Sequence, residues 1–199
     1  MSSGPTANAG RVLRLAAVAL LVTAAGAVIL IWSGAFDPLP ASPVLQTERP
    51  GRLSLPGHGE AFFPQPASPA ATNSIRLTAA HAGGELDSGY GLRLGDDAQG
   101  LTVAVSPPGY VTVWETRDGD KFDILPWQTW PHVRLGDEAN EIWLVIEGDG
   151  EVQQVMVWVN RELLWQGTVQ ALPVGLAVWL ASFDSPVTVD FQTIEWIGG

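Results

Sequence analysis

Two hydrophobic patterns divide the chain. Residues 15–36 read LAAVALLVTAAGAVILIWSGAF, a run of twenty-two residues without a charged side chain. As an α-helix it reaches about 33 Å, enough for a hydrocarbon layer of about 30 Å. From residue 73 onward the pattern changes to short apolar runs, many of them alternating with polar residues, separated by Gly, Asp, Asn and Pro. A period of two is that of a β-strand with one buried face. The runs predict strands over residues 74–82, 89–94, 101–106, 110–116, 122–124, 141–147, 152–159, 163–169, 174–183 and 187–196. Their spacing of about 8–12 residues belongs to an antiparallel sandwich or barrel. No window after residue 37 sustains a 3.6 period, so helix is expected only in the N-terminal run.

Turn chemistry and strand faces agree with that reading. Asp118-Gly119, Gly148-Asp149-Gly150, Asn160-Arg161 and Pro107-Pro108-Gly109 fall between predicted strands, where tight turns need them. Alternation assigns the interior to Val111 and Val113, to Ile142, Leu144 and Ile146, to Val155, Val157 and Val159, and to Val187, Val189 and Phe191. Trp114, Trp143 and Trp158 then point the other way, and Trp179 joins them if Val178 and Leu180 point inward.

Residues 37–69 hold eight of the fifteen prolines. Proline lacks the N–H that a sheet ladder needs, so no long central strand crosses this stretch. Residues 37–43 read as a Pro-rich stalk, and RLSL and EAFF within residues 44–63 as one or two short edge strands. The organisation expected is a cytoplasmic N-terminus (1–14), a transmembrane helix (15–36), the stalk (37–43) and a β-sandwich (44–199) with its core in 73–197. The folded part starts at Val44 or at Asn73.

Charge orients the apolar run. Arg11 and Arg14 precede it and no Lys or Arg follows until Arg49, which places the N-terminus inside and the rest outside the membrane of a bacterial cell. Trp32 sits where an interfacial aromatic is expected. The competing reading is a cleaved signal peptide ending at the small-x-small triplet Ser33-Gly34-Ala35. A signal's apolar region usually has about 7–15 residues, so the length favours a retained single-pass anchor with the lipid bilayer as partner. Both readings export the remainder.

The net charge is −11, and the part from Asp37 on holds all 21 acidic residues against eight basic ones, a net −13. Phosphate neutralisation takes clustered Lys and Arg, which excludes a nucleic-acid partner. With no cysteine there is neither a disulfide nor a thiolate metal site, and the three His stand in no HExxH or HxH pattern. No cofactor is called for. Calcium is the one ion the loop carboxylates would suit, with Asp118 and Asp120 as the candidate ligands, although Asp-Gly is also what a hairpin turn uses.

YGLRL (90–94), LTVAVSPPGYVTVWE (101–115), the block from Leu125 to Leu164, GLAVWLASFD (175–184) and VTVDFQTIEWI (187–197) together resemble the concanavalin A-like lectin/glucanase sandwich. The branch is the one with laminin G-like and 3-keto-disaccharide hydrolase-like domains. The resemblance spans about 60% of the chain and implies an all-β, antiparallel two-sheet jelly roll. It also implies a strand anchored by Asn140 and a hairpin at Val159-Asn160, with Arg161 where glycine is usual. That departure costs turn stability, since both central residues of such a turn need positive φ. Glucanase members carry an E-x-D-x-x-E run, which puts two carboxyls about 5–5.5 Å apart for a retaining mechanism. The run is absent here, and so are G-x-S-x-G and phosphate-binding loops.

The tryptophans remain. If their strands are neighbours, Trp114, Trp143, Trp158 and Trp179 make one exposed aromatic patch on a concave sheet, able to stack on sugar rings or anchor a protein partner. The alternative is a face covered by residues 44–72 with Phe62 and Phe63, while Trp127 and Trp130 plug the end of the sandwich. The leading expectation is a non-catalytic binding module for glycan or protein. A structural accessory subunit of a larger membrane complex comes second and a glycoside hydrolase third.

Overall fold

The computed structural model describes residues 6–32, 42–69, 72–148, 150–173 and 175–198. The Ser33-Gly34-Ala35 triplet, most of the 37–43 stalk, the Trp32 side chain and Asp149 lie outside the described residues. The chain separates into two compact units, Met1–Leu39 and Pro40–Gly199.

The first unit contains α1 (Thr6–Trp32). Its described side chains from Leu15 to Ile29 are apolar except for Thr23. The Thr23 hydroxyl donates to the Ala19 carbonyl at 2.9 Å and so satisfies itself within the helix. Among the described residues no helix is long and apolar enough to cross a membrane; the described side chains of α1 stop at Ile29, inside the uncharged run.

The second unit is a jelly-roll sandwich of two antiparallel sheets. Its strands are β1 (Val44–Glu48), β2 (Gly51–Leu55), β3 (Gly59–Pro64), β4 (Thr72–Gly84), β5 (Ser88–Gly95), β6 (Gln99–Val105), β7 (Tyr110–Arg117), β8 (Asp120–Thr129), β9 (Asn140–Glu147), β10 (Val152–Val159), β11 (Glu162–Gln170), β12 (Leu176–Ser182) and β13 (Val187–Gly198). Sheet A runs β1-β13-β4-β9-β10-β11, with β2 also on β13; sheet B runs β3-β12-β5-β6-β7-β8.

The interior is the aliphatic set that alternation assigns. Val111, Val113, Leu144, Val155, Val157, Val159, Val189 and Phe191 are fully buried, together with Leu77, Leu92, Val103, Leu180 and Trp196 of the two sheets, while Ile146, assigned to the same interior, is half-buried against it. Three N-terminal strands form rather than one or two. All three lie at sheet edges, where Pro50 and Pro56 can separate them without breaking a central ladder. β8 is much longer than the expected 122–124, because Pro126 also sits on an edge strand and its missing N–H interrupts nothing. β12 is shorter than the 174–183 expected.

Two hairpins show why their turn residues matter. Asp118 and Gly119 take φ of 53° and 85°, and Asn160 and Arg161 take 50° and 71°. Each pair is left-handed at both positions, the twist a two-residue hairpin needs. Asn140 and Asn160 tie the long 130–139 loop to the sandwich. Asn140 Oδ1 accepts from Arg134 N (2.8 Å) and from Asn160 Nδ2 (2.7 Å), while Asn140 Nδ2 donates to the Tyr90 hydroxyl (3.0 Å) and the Arg134 carbonyl (3.0 Å). Asn160 Nδ2 also donates to the His132 carbonyl (2.7 Å).

Candidate functional site

The four tryptophans do not form one patch. β9 and β10 belong to sheet A, whereas β7 and β12 belong to sheet B, so the outward-facing indoles are divided between the two outer surfaces of the sandwich. Alternation shows which way a side chain points within its strand. It does not show which sheet the strand joins.

On sheet A, Trp143 and Trp158 are cross-strand partners with ring centroids 6.1 Å apart. Trp143 is buried and Trp158 half-buried, next to the exposed Leu163. Arg76, cross-strand from Trp143, is engaged by Glu195 on its other side, Nε to Oε2 at 2.7 Å. On sheet B, Trp114 and Trp179 meet edge to face at 5.0 Å and 74°. Both are only 3% exposed, so neither offers an open stacking face.

Their burial has specific causes. The Lys121 ammonium lies 4.1 Å from the Trp114 ring centre, a cation–π contact that covers it. Phe62 of β3 pairs with Trp179 across the strands, and Glu60 accepts a hydrogen bond from Trp179 Nε1 at 3.0 Å. Underneath, β5 contributes Gly89, where an added Cβ would come 2.8 Å from Trp179 and 3.0 Å from Trp127. The bare backbone lets both indoles lie against the sheet. The expected cover of this face by the Pro-rich segment is therefore supplied by Phe62, while Phe63 points into the core.

Asp118 and Asp120 occupy the β7–β8 turn and its first flanking position. Among the described residues no group of three or more His, Asp or Glu side chains is placed to hold a metal ion.

A cleft opens at one end of sheet B, where the loops before β3 and β5, after β6 and after β12 converge with the last part of β8. Two cavities share Trp127 and Phe183 as a common wall. The larger, about 510 Å³, is lined by Asp87, Ser106, Tyr110, Trp127 and Phe183. The smaller, about 230 Å³, adds His58, Glu60, Lys121, Trp179 and Ser182 to that wall. The larger falls within the roughly 300–1,000 Å³ of small-ligand sites.

The walls are held in place. Trp127 and Phe183 stand edge to face at 6.4 Å, and His58 Nδ1 bonds the Phe183 carbonyl at 2.8 Å. Phe183 N donates to the Asp87 carbonyl (3.2 Å), and Asp87 N donates to Glu85 Oε1 (3.1 Å). Ser106 Oγ accepts from Tyr110 N at 3.1 Å. Tyr110 and Phe183 are 41% and 44% exposed, so their rings face solvent as the buried tryptophans do not.

Of these residues, Trp179 is the one candidate named from sequence, and it forms the floor. Trp127, expected at the sandwich end, instead faces outward from sheet B. The β7–β8 register shifts between Val111 and Val113, so that Leu125 opposes Val113 but Gln128 opposes Val111. The extra residue turns Trp127 onto the outer face. Trp130 does pack against the main core. Tyr110, Phe183 and Asp87 carried no signal beyond lying next to turns.

No family model matches the chain, and no curated protein matches it. Solved structures similar to it include the carbohydrate binding module CBM66 from Bacillus subtilis (12% identity, 77% of this chain and 96% of that one, TM-score 0.49). The Caenorhabditis elegans galectin LEC-6 is similar at 17% identity, over 68% of this chain and 94% of that one, TM-score 0.44. The apo Crh5 transglycosylase is similar at 10% identity, over 82% and 80%, TM-score 0.49. At these identities and TM-scores the likenesses carry no argument about family, ligand or activity.

Proposed function

We propose that the protein is a membrane-tethered, extracytoplasmic, non-catalytic module that binds glycan in the cleft at the end of sheet B. One observation carries this reading: the solvent-facing rings of Tyr110 and Phe183 and the half-buried indole of Trp127 stand beside the polar side chains of Asp87 and Ser106 in a cavity of about 510 Å³. Sugars present C–H faces that pack on aromatic rings and hydroxyls that need polar partners at the edges. The tether rests on the uncharged run 15–36, the helical backbone through Trp32 and the arginines before it. The non-catalytic reading rests on the missing E-x-D-x-x-E run and on Glu60, whose carboxylate is engaged by Trp179 rather than aimed at a reacting group.

The test is calorimetric titration of the full chain in detergent with a panel of soluble polysaccharides. Trp127→Ala and Phe183→Ala are each expected to weaken binding at least tenfold, about 1.4 kcal/mol. Unchanged affinity in both variants would remove the cleft as the site.

A second reading, docking on a partner protein, is favoured by the outer face of sheet A, where Trp158 and Leu163 stay accessible beside buried Trp143. Trp158→Ala would then abolish association with the partner and leave glycan binding intact.

A further inference from the structure

The two sides of the cleft differ in charge. The smaller cavity has Lys121 and Glu60 at its edge; the larger one has a carboxylate, a hydroxyl and aromatic rings, with neither Lys nor Arg among its described lining residues. We infer that the larger side selects an uncharged sugar ring, with Asp87 as the residue that reads two neighbouring hydroxyls. This rests on the glycan reading above.

The argument is one of unused hydrogen-bonding capacity. The backbone of Asp87 is fixed at both ends, through its N–H to Glu85 and its carbonyl to Phe183, so the residue is held in place. Its carboxylate meets no hydrogen-bond donor or cation among the described residues. An ionised carboxylate only accepts, through two oxygens in one plane, which matches a pair of adjacent O–H donors. Ser106 is complementary: its Oγ already accepts from Tyr110 N, so its own proton is left for a ring or hydroxyl oxygen. Trp127 and Phe183 supply the apolar contact to the ring's C–H face. A uronic or sialic acid would bring its carboxylate into a cavity with no cation among its described lining residues, on a part of the chain carrying net −13. Like charges brought together are disfavoured, and this selects against acidic sugars.

The experiment titrates the full chain in detergent with neutral polymers (laminarin, dextran, mannan, xylan) and with polygalacturonate and alginate. Expected is binding to at least one neutral polymer and to neither polyuronate. Asp87→Asn keeps the shape and removes the charge, and is expected to weaken neutral-polymer binding about tenfold or more with an unchanged melting temperature. Gln166→Ala, at an exposed position of β11 in sheet A, should change that affinity less than threefold. Polyuronate binding equal to the neutral polymers, or an Asp87→Asn affinity equal to the parent while Trp127→Ala still abolishes binding, overturns the inference and leaves the glycan reading standing. Binding to none of the six polymers overturns both.

Discussion

Tyr90 shows how one polar atom placed inside the sandwich becomes a pH-dependent element of stability. The side chain is fully buried, and its hydroxyl meets Asn140 Nδ2, itself locked between Arg134 and Asn160. Burial disfavours the phenolate and pushes the pKa up to about 12, against a smaller opposing effect of the Asn140 hydrogen bond. A raised pKa means the folded state holds the proton more tightly than the unfolded one. The stabilisation is therefore complete below pH 10, diminishes as pH rises from about 10 to about 12, and is gone above that. A shift of two units corresponds to about 2–3 kcal/mol. Urea unfolding at pH 9, 11 and 12.5 should show this extra loss in the parent, and Tyr90→Phe should lose less stability over the same interval. The chain has two tyrosines, so the late phenolate absorbance is assignable by the same substitution. Equal pH dependence in both proteins would exclude the assignment.

The strands themselves were largely legible, because a buried face enforces a period of two over whole segments, as in Val155, Val157 and Val159. Three things were not. Sheet membership depends on which distant strand each segment meets, and so Trp143 and Trp179 looked alike in sequence but lie on opposite outer surfaces. The bulge that turns Trp127 outward is a one-residue register shift against β7, invisible in β8 alone. β1, only VLQTE between Pro43 and Pro50, is too short and too irregular to signal itself, and its place comes from pairing with β13. Glycines in β5 mark a fourth feature at this scale. A Cβ on Gly91 would sit 1.9 Å from the Val103 carbonyl oxygen and 2.7 Å from the Ala104 Cα, both backbone of the neighbouring strand. Gly91→Ala must push β5 and β6 apart, and overpacking of this kind typically costs about 1–3 kcal/mol, more where backbone must move. Gly57→Ala, where nothing lies within 4 Å, is the control and should be close to neutral. Thermal unfolding of the two variants compares them directly; equal melting temperatures would mean that the ladder yields without strain.

At the scale of the whole molecule, the proposed tether and the proposed cleft make separable demands. Apart from Thr23, whose hydroxyl bonds within the helix, the helix side chains from Leu15 to Ile29 are apolar all round, a pattern found in a protein core or in lipid but not on a water-facing surface helix. The acidic unit that follows has the opposite character. From Pro40 on it holds 20 acidic and eight basic residues, a net −12 that repels an anionic headgroup layer, so the proposed membrane association has to come from the apolar run and not from the sandwich. Cell-free synthesis in the presence of anionic liposomes tests this division. The full chain should float with the vesicles through a density gradient and resist alkaline extraction, at low and high salt alike, because hydrocarbon burial is not screened. A chain carrying Leu20→Arg and Val22→Arg should stay at the bottom, since each arginine at the centre of a spanning helix costs about 2.5–3.5 kcal/mol on insertion scales. Flotation of that double variant would mean that the sandwich itself holds the membrane, and the tether would have to be moved from residues 15–36 to a surface of the folded unit.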